Sequence, residues 1–124
     1  MRFLLDSNVL IDAIGATKPM LRIRMGDCDE DDMVTSAIVY AEVAHGSAYG
    51  KPPPLHILNA FLANIPVLAF DRAAGTAYAA MPFVRGRYDR LIAAHALSLD
   101  LTLITNNERD FADVPGLHVE NWAR

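Results

Sequence analysis

The stretch Arg2-Phe3-Leu4-Leu5-Asp6-Ser7-Asn8-Val9-Leu10-Ile11 decides how the rest of this sequence is read. Phe3, Leu4 and Leu5 form an unbroken apolar run that stops at Asp6-Ser7-Asn8, and apolar residues return at Val9, Leu10 and Ile11. A continuous apolar run bounded by a polar turn fits a strand buried on both faces, as in a parallel sheet. Asp, Ser and Asn are also the residue types that cap a following helix, so a short helix is expected from Val9 to Ile14, ending near Gly15. Asp6 then stands at the carboxyl end of a central strand, where open α/β sheets bind their ligands. On this stretch alone, an Asx turn or helix cap accounts for Asp6 equally well.

Working outward, the whole chain of 124 residues reads as one domain, 1–124, with enough apolar material for a core. Hydrophobic residues make up 52% and charged ones 21%, which is globular and argues against disorder. Cys28 is the single cysteine, so an internal disulfide is impossible and a reducing compartment is the simplest inference. No basic start leads into an apolar signal core, and no apolar run is long enough to span a bilayer, so a cytoplasmic protein without a membrane partner is expected. The net charge of −4 does not suggest a grip on nucleic acid by bulk electrostatics. Two bound divalent cations would cancel it, so charge alone decides nothing.

Strands and helices alternate along the rest. Pro19 can open a helix within the basic and apolar segment Lys18–Met25, and the acidic run Asp27–Asp32 reads as a solvated loop without chemistry. Met33-Val34-Thr35 is a second strand, and Ser36 caps a helix through Tyr49, stopped by Gly50. That helix is apolar nearly all round, which predicts burial, and Glu42 is its only formally charged side chain when His45 is neutral. A lone buried carboxylate needs a cation or an ion-pair partner. A stiff linker at Lys51–Pro54 leads to a helix over Leu55–Ala63, a third strand over Pro66–Phe70, and a helix over Arg72–Met81 capped by Asp71. After a basic loop at Phe83–Arg87, Asp89 opens a helix to Leu99, where a first-turn acid also suits the helix dipole. His95, flanked by alanines, is expected to pack or hydrogen-bond. Leu101–Thr105 is a fourth strand ending in Asn106, Asn107, Glu108, Arg109 and Asp110, and Leu117–Val119 a short fifth; Trp122 anchors the terminus. Strands alternating with helices imply a parallel sheet with helices on both faces.

Asp6, Glu42, Asp89 and the Asn107/Asp110 turn could therefore converge. Gathered carboxylates repel one another, and without a cation at least one takes up a proton. Hard divalent ions with oxygen ligands remove that penalty, Mg²⁺ first and Mn²⁺ as the variant. No Cys/His cluster has zinc spacing, no glycine-rich phosphate loop is present, and no GxSxG motif appears.

In this order and spacing, four pieces resemble the PIN-domain family, specifically the VapC-type toxin ribonucleases. They are Leu5-Asp6-Ser7-Asn8-Val9-Leu10-Ile11; Ser36-Ala37-Ile38 with Glu42; Tyr88-Asp89 with Leu91-Ile92-Ala93-Ala94-His95-Ala96; and Leu103-Ile104-Thr105-Asn106-Asn107 with Asp110-Phe111. Pro115-Gly116-Leu117 and Glu120-Asn121-Trp122 extend the likeness to the end. The resemblance implies a three-layer α/β fold with a central, mostly parallel five-stranded sheet in the order 3-2-1-4-5. It implies a Mg²⁺-dependent endoribonuclease held inactive by a cognate VapB-like antitoxin, acting on transfer or ribosomal RNA and expected as a homodimer. The metal set carried over is Asp6, Glu42 and Asp89, with Asn107 in the fourth catalytic position and Ser7, Thr105 and Asp110 in support. Arg85, Arg87 and Arg90 flank Asp89 as candidates for RNA phosphates, and Tyr40 and Tyr49 either stack on bases or belong to the core.

Two departures from the family pattern stand out. The fourth position is Asn107 rather than an acid, and the segment between Tyr78 and Asp89 is shorter than such toxins usually carry. They motivate an alternative, a catalytically impaired PIN-fold module working through antitoxin or RNA binding. A phosphotransfer enzyme or receiver needs a second acid beside Asp6, and Ser7-Asn8 supply none.

Overall fold

The apolar triplet Phe3–Leu5 is β1, buried at all three positions. In the computed structural model, which describes residues 1–82 and 87–124, β1 is followed by α1 (Ser7–Gly15), α2 (Pro19–Gly26), β2 (Met33–Ser36), α3 (Ala37–Ala48), α4 (Leu55–Phe61), β3 (Val67–Leu68), α5 (Arg72–Ala79), α6 (Tyr88–Ser98), β4 (Thr102–Ile104) and β5 (Val119–Glu120). Short 3₁₀ turns lie at Glu30–Asp32, Leu62–Asn64 and Glu108–Phe111. The strands form one sheet in the order β3-β2-β1-β4-β5, as expected. Every pairing is parallel, so the sheet is wholly rather than mostly parallel.

Register is what positions the site. Leu4 lies between Val34 and Leu103, and Leu5 between Thr35 and Ile104. One residue further along, Asp6, Ser36 and Thr105 come side by side at the carboxyl ends of the three central strands, where the strand order reverses. Thr35 ties two of these strands together through its hydroxyl, which donates to the Leu5 carbonyl at 2.7 Å. Leu4, Leu5, Leu103 and Ile104 are fully buried, and burying a side chain of this size contributes about 1.5–3 kcal/mol. At the far end Trp122 closes the core edge-on against Phe3, their ring centroids 4.8 Å apart, which bears out its role as an anchor.

Several expectations shift. The fifth strand moves from Leu117–Val119 to Val119–Glu120, because the Leu117 amide is still held in the preceding turn by the Val114 carbonyl. Helix α1 begins at Ser7 rather than Val9, because Asp6 caps it and draws Ser7 and Asn8 into the first turn. The third strand shrinks from five residues to Val67–Leu68, an edge strand with Val67 and Ala69 exposed. Helix α3 is not buried all round: only Val39 and Val43 are fully inside, while Ala41, His45 and Ala48 face solvent. Small alanines make a helix look apolar without demanding burial, since each has little surface to remove from water. The acidic run is solvent-facing, as expected, although Glu30–Asp32 form a 3₁₀ turn with the Asp29 amide donating to Asp32 Oδ2 at 3.0 Å.

Candidate active site

Asp6 is the acid the fold buries, with 5% of its surface exposed. Its Oδ1 accepts from the Ser7 amide at 2.8 Å, and its Oδ2 accepts from the Thr105 hydroxyl at 2.7 Å. The cap and the site are thus one structure: the first oxygen starts α1, and the second is held by the neighbouring strand end. Burial pushes the Asp6 carboxyl up from its ordinary 3.8 to about 6. The Thr105 and Ser7 hydrogen bonds pull it down, and the charges of Asp89 and Glu42 add to the rise.

Glu42, on α3, is only partly buried, so the desolvated acid is Asp6 and not Glu42. Ser7 reaches across from α1 and donates its hydroxyl to Glu42 Oε1 at 2.5 Å. Asp89, in the first turn of α6, is partly exposed; its carboxyl is raised first by burial and then by Asp110 and Glu42, with Arg87 and Arg90 opposing. Asp6, Glu42 and Asp89 therefore feel one another pairwise, and Asp110 joins through Asp89. Asn107 sits exposed at the start of the 3₁₀ turn, and its backbone amide donates to the Thr105 hydroxyl oxygen at 3.1 Å.

The arginines divide. Arg85 lies outside the described residues, as does most of the expected basic loop. Arg90 is engaged elsewhere: its two terminal nitrogens fork onto the Asp113 carboxylate at 2.8 and 3.0 Å, so a phosphate would have to compete with that pair for it. Arg87 remains, lining a cleft of about 590 Å³ with Glu42, Asp89, Tyr78, Tyr88 and Leu91. The tyrosines singled out from the sequence are not in this cleft: Tyr40 is part-buried and donates to Asn59 at 2.8 Å, and Tyr49 is 77% exposed, so it is not a core residue. Tyr88 stands out in the sequence only as the neighbour of Asp89 in the motif, and nothing in the spacing relates Tyr78 on α5 to the acids. His95 is buried and its Nδ1 lies 2.8 Å from the Ser36 hydroxyl, the structural role expected of it.

The donor set offered to a cation is all oxygen, carboxylates with a neighbouring hydroxyl, which suits a hard ion. A closed ligand shell is not preformed: among the described residues no three His, Cys, Asp or Glu side chains are arranged to hold an ion directly.

Comparison with known proteins bears on the family and the fold. The profile of the PIN domain matches residues 3–117. The chain is similar to the tRNA(fMet)-specific endonuclease VapC of Shigella flexneri, 31% identical over 134 residues that cover 99% of both proteins. Its counterpart of the same name in Salmonella typhimurium is 30% identical, covering 98% of each. In three dimensions it resembles a chain in the crystal structure of VapBC2 from Rickettsia felis bound to a DNA fragment from their promoter, with a TM-score of 0.87, 26% identity, and 98% and 99% of the two chains covered. The alignment to the Shigella protein is longer than the 124 residues here, so this chain carries gaps against it.

Proposed function

Because the chain belongs to the PIN domain family, we propose that it is a VapC-type endoribonuclease toxin that hydrolyses RNA phosphodiesters with Mg²⁺, or Mn²⁺, at Asp6, Glu42 and Asp89. The observation that carries this reading is that Ser7 joins buried Asp6 to Glu42, donating its amide to the one and its hydroxyl to the other, while Glu42 and Asp89 line a single cleft. Nuclease relatives alike over nearly their whole length support it.

Asp6, Glu42 and Asp89 would hold the ion, in part through water, and the ion would supply Lewis acidity and a bound water of lowered pKa. The chain's own residues supply the rest. Thr105 and the Ser7 amide fix the direction of both Asp6 oxygens, and the Ser7 hydroxyl does the same for Glu42. Asp89, being less buried, faces the cleft through which RNA enters, with Arg87 beside it to meet a phosphate. Asp110 adds negative charge next to Asp89, and Asn107 sets the turn beneath Thr105 through its amide. Hydrolysis with the ion held there would leave a 5′-phosphate and a 3′-hydroxyl, the products the family resemblance implies.

A VapB-like antitoxin is the partner we assign, since structural relatives were solved as VapBC complexes. Exposed Ile11 on α1 with Met20 and Ile23 on α2 offer it apolar surface. Homodimerisation is part of the same proposal.

The test is cleavage of total RNA and of transfer RNA by purified protein with Mg²⁺, with EDTA, and by Asp6→Asn. Expected is Mg²⁺-dependent cleavage lost in EDTA and reduced at least a hundredfold in the variant. Equal cleavage by both proteins refutes the assignment, and absence of cleavage by either leaves the binding-module alternative.

A further inference from the structure

The cleft beside Glu42 and Asp89 has a second character that acid chemistry does not require. Tyr78 from α5 and Tyr88 from α6 both line it, and Leu91 adds an apolar side chain one turn beyond Tyr88. Tyr88 and Leu91 are three residues apart and so share a face of α6, and α5 packs along that helix. Tyr88 leaves 56% of its surface in solvent. Among the described residues neither tyrosine hydroxyl has a side-chain partner. Large aromatic side chains contribute most when their faces are covered, and Tyr88 is left uncovered at the mouth of a space that also contains two of the three acids.

Resting on the nuclease reading above, we infer that this cleft seats the nucleobase adjacent to the scissile phosphate, stacked on the Tyr88 ring with Tyr78 and Leu91 covering its edge. An unpaired base presents a π-face that stacks on an aromatic side chain whatever its identity, which is how single-stranded RNA is commonly held. About 590 Å³ accommodates a ligand of nucleoside size. Arg87 lies at the same opening and meets the phosphate that follows the base. Tyr88 and Tyr78 are positioning residues here: they place the phosphodiester against the acids and take no part in proton or phosphoryl transfer. Stacking also suits a chain of net charge −4, for which electrostatic capture of RNA is weak.

The experiment uses the full chain carrying Asp6→Asn to prevent cleavage, and a fluorescein-labelled 12-nucleotide RNA of mixed sequence in Mg²⁺ buffer. Fluorescence anisotropy compares this background with added Tyr88→Phe, Tyr88→Ala and Tyr78→Ala. Tyr88→Phe keeps the ring and should bind within about twofold, whereas Tyr88→Ala should weaken binding by roughly 5- to 150-fold, the range measured for removing one base–aromatic stack. An abasic ribose scanned along the RNA should reproduce the loss at one position, and at that position Tyr88→Ala should add nothing further. Unchanged affinity in Tyr88→Ala overturns the inference, as does an equal loss against every abasic RNA, or an effect confined to binding of an antitoxin peptide. Cleavage by the Asp6-containing protein is assayed in parallel. Cleavage with an unaffected Tyr88→Ala removes the stacking site and keeps the nuclease; stacking without cleavage does the reverse.

Discussion

Replacing Asp6 by Asn should make the metal-free protein more stable, although it removes the proposed centre of the site. Asp6 is buried at 5% exposure and its carboxyl is raised from 3.8 to about 6, first by desolvation. The folded state therefore holds this proton more tightly than the unfolded chain does. Its contribution to stability is fully present below pH 3.8 and is lost as the pH climbs through about 6. At 1.36 kcal/mol per pH unit the gap corresponds to about 3 kcal/mol at pH 7.5. Unfolding entropy of about 2.1 cal/mol/K per residue converts that to a Tm difference of at most ~11 °C for a chain of this length. The introduced carboxamide keeps an oxygen for the Ser7 amide and turns an NH₂ toward the Thr105 hydroxyl, which must then redirect its own proton, so part of the gain is returned. A rise of about 5–10 °C is expected in EDTA at pH 7.5, shrinking toward zero near pH 4. The difference between the two proteins is the quantity to follow, because His95 titrates in both. Burial lowers the His95 pKa, so its contribution is present above 6.5 and is lost as the pH falls. Thermal unfolding by circular dichroism, with and without Mg²⁺, decides the matter. Mg²⁺ at about 10 mM should raise only the Asp6 protein, by about 1.4 kcal/mol for a Kd on the order of 1 mM. An Asp6→Asn protein no more stable than its parent at pH 7.5, or a difference independent of pH, refutes the reasoning.

Three further outcomes follow from individual contacts. Thr105→Val removes the hydroxyl that donates to Asp6 Oδ2; it should cost about 1–3 kcal/mol in urea unfolding at pH 7.5 and less at pH 4.5, where Asp6 is neutral. Ser7→Ala frees Glu42 from its hydroxyl donor, and the Mg²⁺ concentration for half-maximal cleavage should rise about tenfold or more, with kcat at saturating Mg²⁺ changing less. Arg87→Ala should reduce the salt dependence of RNA binding by about 0.7 in the log–log slope, one single-strand phosphate contact. Arg90→Ala, whose fork is already closed on Asp113, should leave that slope unchanged.

The parts of the fold that could be read from residue order are those set by local chemistry. An unbroken Phe3–Leu5 run next to Asp6 predicts a doubly buried strand with a capped helix after it, and the sheet has that strand at its centre. Asp71 and Ser36 act as the caps their residue types suggest, accepting from the Ala74 and Ile38 amides at 3.0 Å. What escaped depends on register and on neighbours distant in the chain. Apolar composition could not distinguish Glu42, on a half-exposed helix, from Asp6, at the dry end of the sheet, as the carboxylate that bears the cost of burial. Arg90 looks like any arginine beside Asp89 until the turn after Phe111 brings Asp113 within reach of its fork. Tyr78 and Tyr88 face one cleft only because α5 lies along α6, a packing that no periodicity encodes.

Charge then constrains how such a site holds RNA. The described arginines near the acids reduce to Arg87, since Arg90 is neutralised by Asp113. The acids themselves repel a phosphate until a cation is present, and the whole chain carries −4. An RNA phosphate therefore binds more tightly together with the ion than without it, which makes substrate affinity and metal affinity mutually dependent, as linkage requires. Contacts indifferent to charge must supply what remains, and the uncovered ring of Tyr88 beside Asp89 is the group placed to do so. On this reasoning selectivity among RNAs begins with an unpaired base free to leave its own stack, because a base held in a duplex would have to surrender that stacking before it could reach Tyr88.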